Sequence, residues 1–234
     1  MTVWRARVGA WALATAAVLP LAACGAGEAP AAAPARTWPP DTVLALNGVP
    51  IAAAEVDAIS SIVARAEVQH ALPHLRRIAL TNVILPRAAA REVAGEARRA
   101  AALAAAQAWR AALERDATPP PPVEVPHEAV VEGGFGMTGL EVWDWALDAP
   151  LATWSPPIET PGAWRLARVL ERTGGLRPSD VRLKVDLRTF VWTHSPTFRE
   201  DVEAHLDRSR LEYVDEAWRD LVPTLWQRRL RGTP

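Results

Sequence analysis

The chain has a single cysteine, Cys24, so no intramolecular disulfide can form and a cysteine-built metal cluster is excluded. Lys184 is the only lysine; the other basic side chains are arginine, which reads as nucleotide-composition bias and not as a functional signal. A helix needs roughly 20 apolar residues to cross hydrocarbon. The run from Val8 to Ala23 stops at about 16. No Gly-rich phosphate loop, no G-x-S-x-G elbow and no H-E-x-x-H pair occurs, so the usual enzyme classes lose support.

What is present begins at the N-terminus. Arg5 and Arg7 precede the apolar run, which closes in Leu21, Ala22, Ala23 and Cys24, the layout of a signal peptide over residues 1–23. Leu21-Ala22-Ala23-Cys24 resembles the bacterial lipobox, in which small residues precede a cysteine that receives diacylglycerol before cleavage. The resemblance implies that Cys24 is lipidated and becomes the first mature residue. The chain is then expected outside the cytoplasm, lipid-anchored on the periplasmic side of a bacterial membrane. Two or more acyl chains hold a protein stably where one does not. Residues 1–23 carry two arginines and no acids, so the remainder has 24 basic and 27 acidic side chains, and nothing in that balance suggests nucleic acid.

Residues 24–40 are rich in Ala, Pro and Gly and read as a flexible tether. Residues 41–117 follow as a helical region. In it, Thr42 to Ile51 holds two short apolar stretches around Asn47-Gly48, the dipeptide suited to a tight hairpin. Val56, Ile59 and Ile62 or Val63 then recur at helical spacing up to Pro73. A second helix is expected over Leu75 to Leu85 and a third from Pro86 to about Arg115. Pro119 to Pro122 remove four amide donors, which places a linker at 118–126. After it come a segment 127–175 and a C-terminal segment 176–234. The latter opens with the cleanest strand pattern in the chain, Val181, Leu183, Val185 and Leu187 alternating with Arg182, Lys184, Asp186 and Arg188.

The stretch VLALNGVPIAAAEVDA resembles the opening of SurA/PrsA-type periplasmic foldases, a strand and Asn-Gly followed by helices. Residues 133–171 resemble the closing half of a parvulin-type prolyl isomerase domain. The landmarks run in the same order: Gly133-Gly134, an aromatic helix at Trp143 to Leu147, a strand at Ser155 to Ile158, the loop Thr160 to Gly162 and an apolar strand at Leu166 to Leu170. The resemblance implies an α+β fold, with mainly helical N- and C-terminal segments and a small parvulin-like α/β remnant. It also implies a chaperone or foldase that binds unfolded or nascent exported proteins, with no cofactor. The family's opening strand, with its histidine and following helices, has no room between Pro126 and Gly133. The family's later histidine falls on Trp164. No catalytic residue is therefore assigned, and isomerase activity is left open. A structural lipoprotein docking one partner is the alternative of a different class.

His127 stands near the missing histidine but lacks a following apolar strand and lies too close to Gly133. His70 and His74 are four apart, as metal ligands on a helix can be, but Pro73 breaks the helix between them and no third ligand matches. Surface or capping roles suit these two, and His194 and His205, better. Of the eleven tryptophans, Trp109, Trp143, Trp145 and Trp164 are the candidates for contact with a client. The spacing of Trp143, Trp164 and Trp218 suits a core better.

Overall fold

The computed structural model describes residues 36–66, 70–117, 126–192, 198–229 and 231–232. Cys24, Leu21, Ala22, Ala23, the proline run at 119–122 and His194 lie outside the described residues.

Strands β1 (Thr42–Leu46) and β2 (Val49–Ala52) pair antiparallel, with Leu46 opposite Val49. Asn47 and Gly48 supply the turn at φ of 50° and 83°, the positive values both central residues of this tight turn need. Helix α1 (Ala53–Ala66) follows, buried along Val56, Ile59, Val63 and Ala66, one face of a 3.6-residue period. Asp41 starts it: its carbonyl accepts from the amide of Ala53 and its carboxylate from that of Ala54.

Helix α1 ends at Ala66, ahead of Pro73, and Pro73 sits instead in the first turn of α2 (Leu72–Ala79), which starts before the expected Leu75. The helical path continues beyond α2 without a break, and Pro86 lies in the first turn of the next helix, as expected. A π turn over Leu80–Ile84 leads into α3 (Leu85–Ala94), with the Leu85 amide reaching back to the Leu80 carbonyl. Proline cannot donate to the carbonyl four residues back, and the π turn lies just ahead of the ring. The break comes instead at Gly95, whose φ of 77° and ψ of 152° only glycine adopts readily. The expected continuous helix from Pro86 to Arg115 is therefore two, α3 and α4 (Glu96–Leu113).

The second sheet contains β3 (His127–Gly133), β4 (Ile158–Thr160), β5 (Ala163–Thr173) and β6 (Arg182–Val191) in the antiparallel order β3-β6-β5-β4. Between β3 and β4 lie the short α5 (Phe135–Thr138) and α6 (Leu140–Asp148). A strand does begin at His127, contrary to the sequence reading. It was hidden because β3 is an edge strand held by seven register pairs to β6 and not by burial; its Val130 is 60% exposed. The sheet also crosses the boundary placed at 175, since β6 lies between β3 and β5. One face packs Val169, Val185 and Leu187 on α6 and Ala66; the other packs Leu166, Phe190, Trp154 and Trp192 on Ala102 and Ala106 of α4.

Helix α7 (Phe198–Leu206) leads to β7 (Arg210–Tyr213), which pairs antiparallel with β1, Leu211 opposite Leu46. A 3-10 turn, α8 (Thr224–Arg229) and β8 (Arg231–Gly232) complete a first sheet of order β2-β1-β7-β8. Leu206, Leu211, Trp218 and Val222 enter the same core as β1, α1, α2 and α3. The architecture is α+β, and residues from Trp38 onward form one compact unit.

Candidate functional site

Helix α1, the π turn, the start of α6 and the β4–β5 turn surround a cleft of about 400 Å³, within the usual range for ligand pockets. Val63, Ile78, Val83 and Leu140 make it apolar; Asn82, Glu141, Thr160 and Arg165 bring polar groups to it. Its walls are tied together by charge. Arg65 near the end of α1 donates to Asp144 at 2.6 Å and Asp148 at 2.8 Å on α6. Glu159 in β4 accepts from Nε and Nη2 of Arg91, at 2.9 and 2.7 Å, and from Arg99 at 3.2 Å, which fixes the β4–β5 turn against α3 and α4. Burial pushes the Glu159 carboxyl upward, but the hydrogen bonds from Arg91 and the charges of Arg91, Arg87 and Arg99 outweigh it, and its pKa is lowered.

Arg165 is the unusual member. In β5 it shares a face with Ala167 and Val169 and so lies on the side of α6; its Nη1 donates at 3.1 Å to the carbonyl of Thr138, the last residue of α5. Its Nε is buried with no hydrogen-bond partner among the described residues. Burial lowers its pKa, opposed by the charge of Glu141. Glu141 itself is ion-paired to Arg87, both side chains nearly buried at 12% and 8% exposure. Gly139, at φ 86°, leaves room for the guanidinium: a Cβ there would lie 3.2 Å from Arg165 Nη1.

A second polar cluster joins Asn47, Glu92, His205 and Ser209. His205 Nε2 lies 2.7 Å from a Glu92 oxygen that also accepts from Asn47 Nδ2 at 2.7 Å. Asn47 Nδ2 donates its other hydrogen to Ser209 Oγ at 3.0 Å, and Ser209 Oγ donates to the His205 carbonyl. The Ser209 hydroxyl thus never meets the imidazole, and the trio is not a nucleophile–base–acid relay. It clasps the β1–β2 turn to α3 and α7.

Trp143 is completely buried, so the structure overturns it as a client contact. Trp145 packs half-buried at the edge of the same core. Trp109 and Trp164 are half-buried on the other side of the second sheet, Trp109 edge-on to Phe190 at 6.1 Å and Trp164 donating to the Arg99 carbonyl at 3.2 Å. None of the four lines the cleft. Trp218 is core, with the Arg76 guanidinium 4.8 Å from its ring. His127 is exposed opposite Thr189. The rings of His70 and His74 lie 4.4 Å apart, and no group of three metal-ligating side chains occurs among the described residues. No described helix is long and apolar enough to cross a membrane.

The chain matches no known protein family, no curated protein and no solved structure. Arg165 and its partners escaped the sequence reading. The available signal was an arginine on the apolar side of an alternating strand, flanked by Trp164 and Leu166.

Proposed function

We propose that this chain is an exported lipoprotein, anchored through Cys24, that holds segments of unfolded or assembling exported proteins without chemistry on them. The observation that carries this reading is the cleft beside α6. Its walls are mostly apolar and come from four separate elements, and a single half-buried cation, Arg165, lines it with no nucleophile–base pair beside it. The lipobox-like Leu21 to Cys24 and the foldase-like opening at Val43 to Ala58 support the same reading from sequence.

Catalysis of X-Pro exchange requires polar groups that hold the bond twisted, and the resemblance would supply them at positions where this chain has Trp164 and no second histidine. Trp164 instead hydrogen-bonds the α4 backbone. Uncatalysed exchange takes tens of seconds or more, so activity is easily read. The folded unit from Trp38 onward is expected to slow aggregation of a chemically unfolded substrate at a near-equimolar ratio and to leave the exchange rate of a proline tetrapeptide at background. Turnover that depends on His127 would make the chain an isomerase. Failure to slow aggregation at any ratio would point to the docking of one folded partner.

A further inference from the structure

Four of the five guanidinium groups around the cleft are ion-paired, Arg65 to both Asp144 and Asp148. Arg91 and Arg99 are matched by Glu159 and Glu96, and Arg87 by Glu141. The fifth guanidinium, Arg165, has no ion pair among the described residues; it feels the charge of Glu141, makes one hydrogen bond, to an uncharged carbonyl, and has a buried Nε with no acceptor. Taking a cation even partly out of water is costly unless it is paired and hydrogen-bonded, and Arg165 is half-buried. It also sits beside the first turn of α6, whose amides add partial positive charge and whose N-cap, Gly139, provides no side-chain acceptor. Val63, Ile78, Val83 and Leu140 line the space in front of it.

We infer that the cleft is a receptor for a carboxylate carried next to an aliphatic side chain, with Arg165 as the group that pairs with the anion and the α1, π-turn and α6 residues as the seat of the apolar neighbour. This rests on the reading of the cleft as a polypeptide-binding site. The planar fork of arginine matches a carboxylate. A single guanidinium without its own ion pair suits a monoanion, whereas a phosphate dianion would be repelled more strongly by the Glu141 carboxylate that lines the same cleft. Either the end of a chain or an acidic side chain flanked by aliphatic residues has this chemistry.

Three fluorescently labelled peptides titrated against the full chain in detergent separate these sources: one ending Val-Leu with a free carboxylate, the same peptide amidated, and an amidated peptide with an internal Asp-Val-Leu. At least one of the two carboxylate peptides is expected to bind about tenfold or more tighter than the neutral amide. Arg165→Met is expected to erase that difference without weakening the neutral peptide, and Arg165→Lys, which keeps the charge but not the fork, to keep only part of it. Arg165 also holds the Thr138 carbonyl, so both variants need an unchanged thermal midpoint. The peptide comparison on the unaltered chain stands even if they lack it. Equal binding of all three peptides, abolished by the cleft-filling change Asn82→Trp, would overturn the carboxylate inference and leave cleft binding intact. Binding of none of them would overturn both.

Discussion

Replacing Asn47 by alanine would remove its bonds to Glu92 and Ser209 and the acceptor of the Arg210 amide while leaving a residue with a Cβ at φ 50°. Backbone strain and lost hydrogen bonds each cost about 1 kcal/mol, so Asn47→Ala is expected to destabilise the chain by about 2 kcal/mol. Asn47→Gly keeps the turn and loses only the side-chain bonds, and is expected to cost about half as much. Denaturant midpoints of the two variants check this. Equal losses would mean that the clasp, not the turn, carries the effect. Glu159 gives a second test at this scale. Its pKa is lowered from the ordinary 4.5, so the stability it adds is fully present above that value and is lost as pH falls through the lowered one. The thermal midpoint of wild type is expected to exceed that of Glu159→Gln at neutral pH, with the gap closing only on the acid side of the carboxylate range. A gap independent of pH would contradict the assignment.

Among the elements, the junction of α3 and α4 depends on one residue. A Cβ at Gly95 would meet nothing within 4 Å, so any cost of Gly95→Ala comes from its φ of 77° and not from a clash. The expected loss is about 1–3 kcal/mol, against little change for Gly134→Ala, which also has open space and no positive φ. Parallel thermal melts compare the two. Equal midpoints would mean that α3 and α4 fuse without penalty. This junction also shows why the sequence was partly opaque. The alanine-rich run offers no contrast between apolar and polar faces, so neither the π turn nor the break could be read from periodicity. The β1–β2 hairpin was legible because Asn47-Gly48 encodes its own backbone angles. Strand β6 was legible because its side chains alternate. Edge strand β3 was missed because exposed Val130 and Glu132 give it no buried face to read. The cleft was missed because Arg165 and its neighbours Thr138 and Gly139 are far apart in sequence and meet only when α6 folds onto β5.

At the scale of the whole molecule, the C-terminal segment does two jobs. It adds β7 to the first sheet beside β1, and it supplies β6 to the interior of the second. The folded unit therefore has its cores within Trp38–Pro234, as a module hung from an anchor would need. The anchor is tested separately. Cys24→Ser is expected to block lipid attachment and leave the chain either unprocessed or released from membranes washed without detergent. Unchanged membrane fractionation would refute lipidation at this residue. The central claim, that the cleft beside α6 is where client polypeptide is held, is tested most directly by light scattering of an aggregating unfolded protein with wild type and with Asn82→Trp. Asn82 lines the cleft from an exposed position on the π turn, so a tryptophan there fills the space without replacing a core residue. The account predicts that wild type slows aggregation at a near-equimolar ratio and that Asn82→Trp, with an unchanged thermal midpoint, does not; equal protection by both would contradict it.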